Sequence, residues 1–87
     1  MYKVVFTKEA SKNFRRLDKR LQRLAAKAID RLSKNPKVGT PLSRKLKGLW
    51  KIRFSRYRII YRILEQKLIV IIFDVGHRKE IYKKTIR

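Results

Sequence analysis

At 87 residues and 10.5 kDa the chain is long enough for one modest hydrophobic core and too short for two, so residues 1–87 are read as a single domain. Apolar residues at 44% can supply that core, and the lack of Cys rules out disulfides and thiolate metal sites. The outlying quantity is charge: 26 Lys and Arg against 6 Asp and Glu, net +20, a balance whose usual physical use is salt-dependent attraction to a polyanion, with nucleic acid the leading partner.

Residues 2–6, YKVVF, are β-branched and aromatic and predict a short strand that ends at Thr7. Thr7 can cap a helix, with Glu9 well placed in its first turn and Ala10, Phe14 and Leu17 along one face. A second helix follows with Asp18 as its cap. In it Leu21, Leu24, Ala25, Ala28, Ile29 and Leu32 form a full amphipathic stripe, while Arg20, Arg23, Lys27 and Arg31 lie opposite, as a solvated face first and a polyanion contact second. Pro36 ends this helix, because it cannot continue it and disfavours helical geometry at Asn35.

A loop runs to about Gly48, and the period then changes from helical to two. Trp50, Ile52 and Phe54 alternate with Lys51, Arg53 and Ser55, and Tyr57, Ile59, Tyr61 and Ile63 alternate with Arg58, Ile60, Arg62 and Leu64. A two-residue turn at Ser55-Arg56 would set Phe54 against Tyr57, Arg53 against Arg58, Ile52 against Ile59 and Lys51 against Ile60. That register sends the aromatic and aliphatic set to the helices and gathers Lys51, Arg53, Arg58 and Arg62 on the other side. Residues 67–75, KLIVIIFDV, are apolar on both faces, as suits a strand inside a sheet. A second turn near Glu65-Gln66 would bring Ile69, Ile71 and Phe73 beside Arg62, Ile60 and Arg58, giving the basic patch an apolar floor. The fold class expected is α+β: strand-helix-helix-strand-strand-strand, an antiparallel sheet with two helices packed on one face. MYKVVFT lacks the layout of a signal peptide and LIVIIF (68–73) is far too short to cross a bilayer, so the protein is read as soluble and cytoplasmic, with no membrane partner.

The chemistry available is narrow. No metal-ligand spacing, phosphate-cradling glycine loop or nucleophile triad occurs, and no cofactor or metal is expected. Cations, a phenol and one imidazole remain. They suit RNA cleavage by the substrate's own 2′-OH, which needs a base, a proton donor for the leaving oxygen and charge stabilisation at phosphorus, but no enzyme nucleophile. Arg53 opposite Arg58 is a like-charge pair across a ladder, a cost that a bound anion would remove.

The run KLKGLWKIRFSRYRIIYRI followed by DVGHRKEIY resembles the RelE group of the RelE/ParE toxin superfamily, and the likeness extends over nearly the whole chain in element order and spacing. The resemblance implies a RelE-like fold and a toxin of a type II toxin-antitoxin system, a ribosome-dependent endoribonuclease (mRNA interferase) that cuts mRNA and is held inactive by a cognate acidic antitoxin in a hetero-oligomer. The ribosome with its rRNA, mRNA and the antitoxin are then the partners. Carried over by position, Lys51 and Arg53 match the basic pair that contacts the scissile phosphate, and Arg58 matches the phosphate-binding arginine of the next strand. Arg78 matches a tail arginine acting as proton donor or charge stabiliser, and Tyr82 a tail tyrosine that orients or activates the 2′-OH. Arg53 stands where the family often has Lys; with its pKa above ~12 it is poorly suited as a base, which leaves Tyr82 or Lys51. His77 is a second-rank catalytic candidate, and Lys45, Lys47, Arg56, Arg62 and Lys83 are expected RNA contacts. The alternatives are a ParE-type gyrase-poisoning toxin of the same fold without RNA cleavage, and a non-catalytic basic RNA-binding protein. Arg58, Arg78 and Tyr82 occurring together favour the nuclease.

Overall fold

A computed structural model describes residues 1–42 and 48–77. The chain runs β1 (Lys3–Phe6), α1 (Lys8–Arg16), α2 (Lys19–Lys34), β2 (Thr40–Pro41), β3 (Trp50–Phe54), β4 (Tyr57–Leu64) and β5 (Ile69–His77), with single 3₁₀ turns at Pro36–Val38 and Glu65–Lys67. Both expected caps form: Thr7 accepts from the Ala10 amide at 3.1 Å and Asp18 from the Leu21 amide at 2.8 Å, satisfying donors that the first helical turn leaves open. The second helix stops at Asn35, one residue before Pro36.

The sheet order is β1-β5-β4-β3-β2. β3, β4 and β5 form an antiparallel meander as expected, and β5 has a neighbour on each side, the interior position in the sheet expected of it. Two features differ from the expectation. β1 joins the far side of β5 in parallel, Lys3 to Ile69 through Phe6 to Ile72, so the sheet is mixed. The two-residue β2 also pairs with β3 at the opposite edge, too short to carry an alternating pattern.

The β3–β4 register is the expected one, with Phe54 opposite Tyr57 and Arg53 opposite Arg58. Ile52, Phe54, Ile59 and Tyr61 join Val70, Ile72 and Val75 in the core against Ala10, Ala25, Ala28 and Leu32 of the helices. Trp50, Tyr57 and Ile63 pack around that cluster, so the whole expected apolar set lies on the helix side. Ser55 occupies the turn at φ 53°, in the left-handed region that a side chain makes costly. Ser55→Gly should therefore stabilise the fold by up to about 1 kcal/mol, seen as a higher urea midpoint at unchanged slope. A lower midpoint would mean that the Ser55 side chain supports the turn.

The second hairpin corrects the expected register. Leu64 pairs with Ile69, so the connection is residues 65–68, a 3₁₀ turn closed by Leu68 at φ 54°, in place of a two-residue turn. Farther along, Ile60 pairs with Asp74 but Tyr61 with Ile72, leaving Phe73 as the extra residue of a β-bulge. The bulge is tied to the first helix: the Thr7 hydroxyl donates to the Phe73 carbonyl at 3.1 Å, and Asn13 Nδ2 to Asp74 Oδ1 at 2.7 Å.

Candidate functional site

Alternation on the pleated β3–β4 hairpin places Lys51, Arg53, Arg58 and Arg62 on the face away from the helices, in the grouping expected. Arg53 and Arg62 are exposed, Lys51 is half-buried, and Arg58 retains only 5% of its exposure. Ile60, opposite Lys51 and between Arg58 and Arg62 on its strand, is 1% exposed and is not part of the helix-side core, so it forms an apolar floor to the cation row. Residues two apart on one strand lie ~6.6 Å apart, which lets Lys51 and Arg53 grip one phosphate from two sides or reach two in succession. The Nε donor of Arg58 is buried and meets no hydrogen-bond acceptor, although the side chain is engaged elsewhere.

On β5 the bulge changes the rest of the floor. Arg58 faces Gly76 and Ile60 faces Asp74, where Phe73 and Ile71 were expected; Ile71 faces Arg62 instead, and Ile69 faces Leu64. The apolar floor is thus Ile60 and Ile71, and the neighbour of Arg58 carries no side chain. Asp74, 8% exposed, spends its carboxylate on Asn13 and on the Val75 amide at 2.9 Å. Nothing in the alternation of LIVIIFDVGH signals this bulge, because the sequence is apolar through it; the Asp next to a bulky residue is the one irregularity.

His77 stands apart from the cation row. It pairs with Tyr57, on the helix side of the hairpin, and the two rings meet edge to face at 5.6 Å and 82°. Arg56 lies exposed in the β3–β4 turn. Arg62 extends along Gly48, whose φ of 88° is a backbone state glycine adopts freely; a Cβ there would lie 3.2 Å from Arg62 Nη2. Lys45, Lys47, Arg78, Tyr82 and Lys83 lie outside the described residues. Among the described residues no group of His, Asp or Glu could hold a metal ion, and no helix is long and apolar enough to cross a membrane.

Tyr61 is a support of the site that sequence reading had placed only as core. Fully buried, it donates to the Pro36 carbonyl at 2.6 Å and stacks on Trp50 with ring centroids 6.4 Å apart. Burial pushes its phenol up to about 12, against a smaller opposing pull from the Gly39 backbone. A Cβ at Gly39 would collide with the Tyr61 hydroxyl and the Lys51 carbonyl, so only glycine lets the chain after α2 pass this close to β3. The loop between helix and sheet is thereby fastened directly behind Lys51.

Residues 4–82 match the family described as the ParE toxin of type II toxin-antitoxin systems, parDE. The toxin RelG of Mycobacterium tuberculosis is 36% identical over 85 residues, covering 95% of this chain and 98% of the relative. The mRNA interferase toxin RelE of Escherichia coli is 26% identical over 90 residues, covering 99% and 95%. Among solved structures, the toxin-antitoxin complex RelBE2 of M. tuberculosis contains a chain that superposes with a TM-score of 0.80 at 37% identity, covering 88% of this chain and 98% of that one.

Proposed function

From the premise that this chain belongs to the RelE/ParE superfamily of toxins of type II toxin-antitoxin systems, we propose that it is a cytoplasmic, ribosome-dependent endoribonuclease that cleaves mRNA. The observation that carries this reading is the cation row: Lys51, Arg53 and Arg58 converge in register on the sheet face opposite the helices, with Arg58 held almost out of solvent. A toxin chain in a toxin-antitoxin complex of the same fold, and a relative named as an mRNA interferase, support it.

In the proposed reaction a base, Tyr82 or Lys51, removes the proton of an mRNA 2′-OH. The oxygen attacks the adjacent phosphorus, the bond to the 5′-oxygen breaks, and that oxygen takes up a proton, with Arg78 the proposed donor or charge stabiliser. The products are a 2′,3′-cyclic phosphate and a 5′-hydroxyl. Negative charge builds on the non-bridging oxygens on the way, and fixed guanidiniums in a partly desolvated site lower that barrier more than mobile cations in water can. Arg58 is the best placed for this, with Lys51 and Arg53 as flanking contacts. Lys45, Lys47, Arg56, Arg62 and Lys83 are proposed to steer the strand. An acidic antitoxin is proposed to lay an amphipathic segment on the toxin and neutralise the site.

The ParE-type alternative predicts a different target. Purified chain added to ribosomes stalled on a defined mRNA should cut that mRNA in the decoding site, while leaving DNA gyrase supercoiling unchanged at the same concentration. Intact mRNA together with inhibited gyrase would assign the chain to the other branch.

A further inference from the structure

A second strongly basic surface lies on the helix layer, across the sheet from the cation row. Arg20, Arg23, Lys27, Arg31 and Lys34 recur at i, i+3, i+7, i+11 and i+14 of α2, one continuous stripe that spans roughly 21 Å at 1.5 Å per residue. All five are exposed. Of these five, only Lys34 has an ion pair within the described residues, with Asp30 at 3.1 Å. The solvent half of the helix is therefore divided. Cations fill one flank, while exposed Ala26 lies on the other and, with half-buried Ile29 at the margin of the core-facing stripe, borders an apolar groove of about 360 Å³ with Phe6, Ser11 and Phe14.

Helix stability explains only the C-terminal end of the stripe, where Arg31 and Lys34 in the last turn complement the dipole. Like charges three and four apart repel, and cations in the first turn oppose the helix dipole; α2 carries Lys19 and Arg20 there and no acidic residue, whereas α1 has Glu9. A merely solvated face would intersperse signs or spread the charge. An acidic protein partner would need apolar anchors, and those lie on the opposite flank. A straight row of exposed cations without apolar residues suits a nucleic-acid backbone, which is read by charge and spacing alone.

We propose that the outer stripe of α2 is a second RNA-binding surface that tracks the backbone of a duplex segment, so that the domain engages RNA on both sides of its sheet at once. The choice of RNA over DNA rests on the function proposed above; the existence of the site does not.

The test uses a fluorescent 20-base-pair duplex of 2′-O-methyl RNA, which lacks the attacking hydroxyl, and the DNA duplex of the same sequence. Binding is followed by anisotropy as a function of salt for the wild type, for Arg20→Gln/Arg23→Gln/Lys27→Gln/Arg31→Gln, for Lys51→Gln/Arg53→Gln, and for the combination. The α2 variant should keep the wild-type circular dichroism and melt no lower than the wild type, bind the RNA duplex at least tenfold more weakly, and lower the slope of log K against log salt by about 3 to 4, since each phosphate contact contributes ~0.9. The combined variant should lose the sum of the two effects. An unchanged slope in the folded α2 variant would overturn the proposal, and so would an unchanged slope coupled with lost binding of a polyglutamate peptide, which would give the stripe to an acidic protein. Binding of DNA tighter than RNA would overturn the choice of RNA and count against the nuclease reading, while leaving the stripe a backbone-binding surface.

Discussion

Replacing Arg58 with Ala should lower mRNA cleavage by a hundredfold or more, because removing one preorganised donor from a site of developing charge typically costs about 10² to 10³ in rate. The residue is 5% exposed and opposite Arg53 across the ladder, so the large effect must be separated from damage to the fold. Two further variants do this. Arg58→Lys keeps the charge but loses the planar fork, and should fall between wild type and Ala. Arg53→Ala removes an exposed side chain whose charge faces Arg58, so it should leave stability unchanged or raise it by up to about 1 kcal/mol while still reducing cleavage. A loss of activity that followed loss of stability through all three variants would make the row structural. In the tail, Arg78→Ala and Tyr82→Phe should each relieve growth arrest while the chain stays folded and ribosome-bound; undiminished toxicity in both would remove those residues from the proposed site.

The second large effect is on stability and is read through pH. Tyr61 is fully buried with its phenol held up to about 12, whereas in the unfolded chain it titrates near ~10. Between those values the unfolded chain releases a proton that the folded chain retains. Stability is therefore whole below pH ~10 and falls as pH rises toward 12, by roughly 2–3 kcal/mol from this group. Tyr61→Phe lacks that component but leaves the buried Pro36 carbonyl without its donor, at a cost of about 1–2 kcal/mol near neutrality. Urea denaturation from pH 8 to 12 should show the wild type more stable at the low end and the two curves meeting or crossing at the high end. Parallel curves would mean that the phenol ionises freely in the folded state.

Much of this arrangement could be read from the residues. Two caps, a six-residue apolar stripe, a proline stop and the alternation from Trp50 to Leu64 are local signals, and the structure realises each of them. The hairpin register follows because pattern and turn length agree on one pairing. What escaped depends on contacts between distant residues. The bulge at Phe73 is held by Thr7 and by the Asn13–Asp74 bond, more than 60 residues away in sequence. The parallel seat of β1 requires knowing which edge of β5 is open. Leu68 in the left-handed region lengthens the second turn without any glycine to announce it. For the site, the sequence identified the cation row but could not show that Arg58 is enclosed while Arg53 is open, nor that His77 turns toward Tyr57 and away from both.

The central proposal, a nuclease acting within translated frames, is tested most directly by mapping new 5′ ends in cellular mRNA after a brief pulse of expression, with the Arg78→Ala/Tyr82→Phe double variant in parallel. The expected result is 5′-hydroxyl ends at a fixed position within codons, confined to translated regions and absent in the variant. Growth arrest with intact mRNA would contradict it.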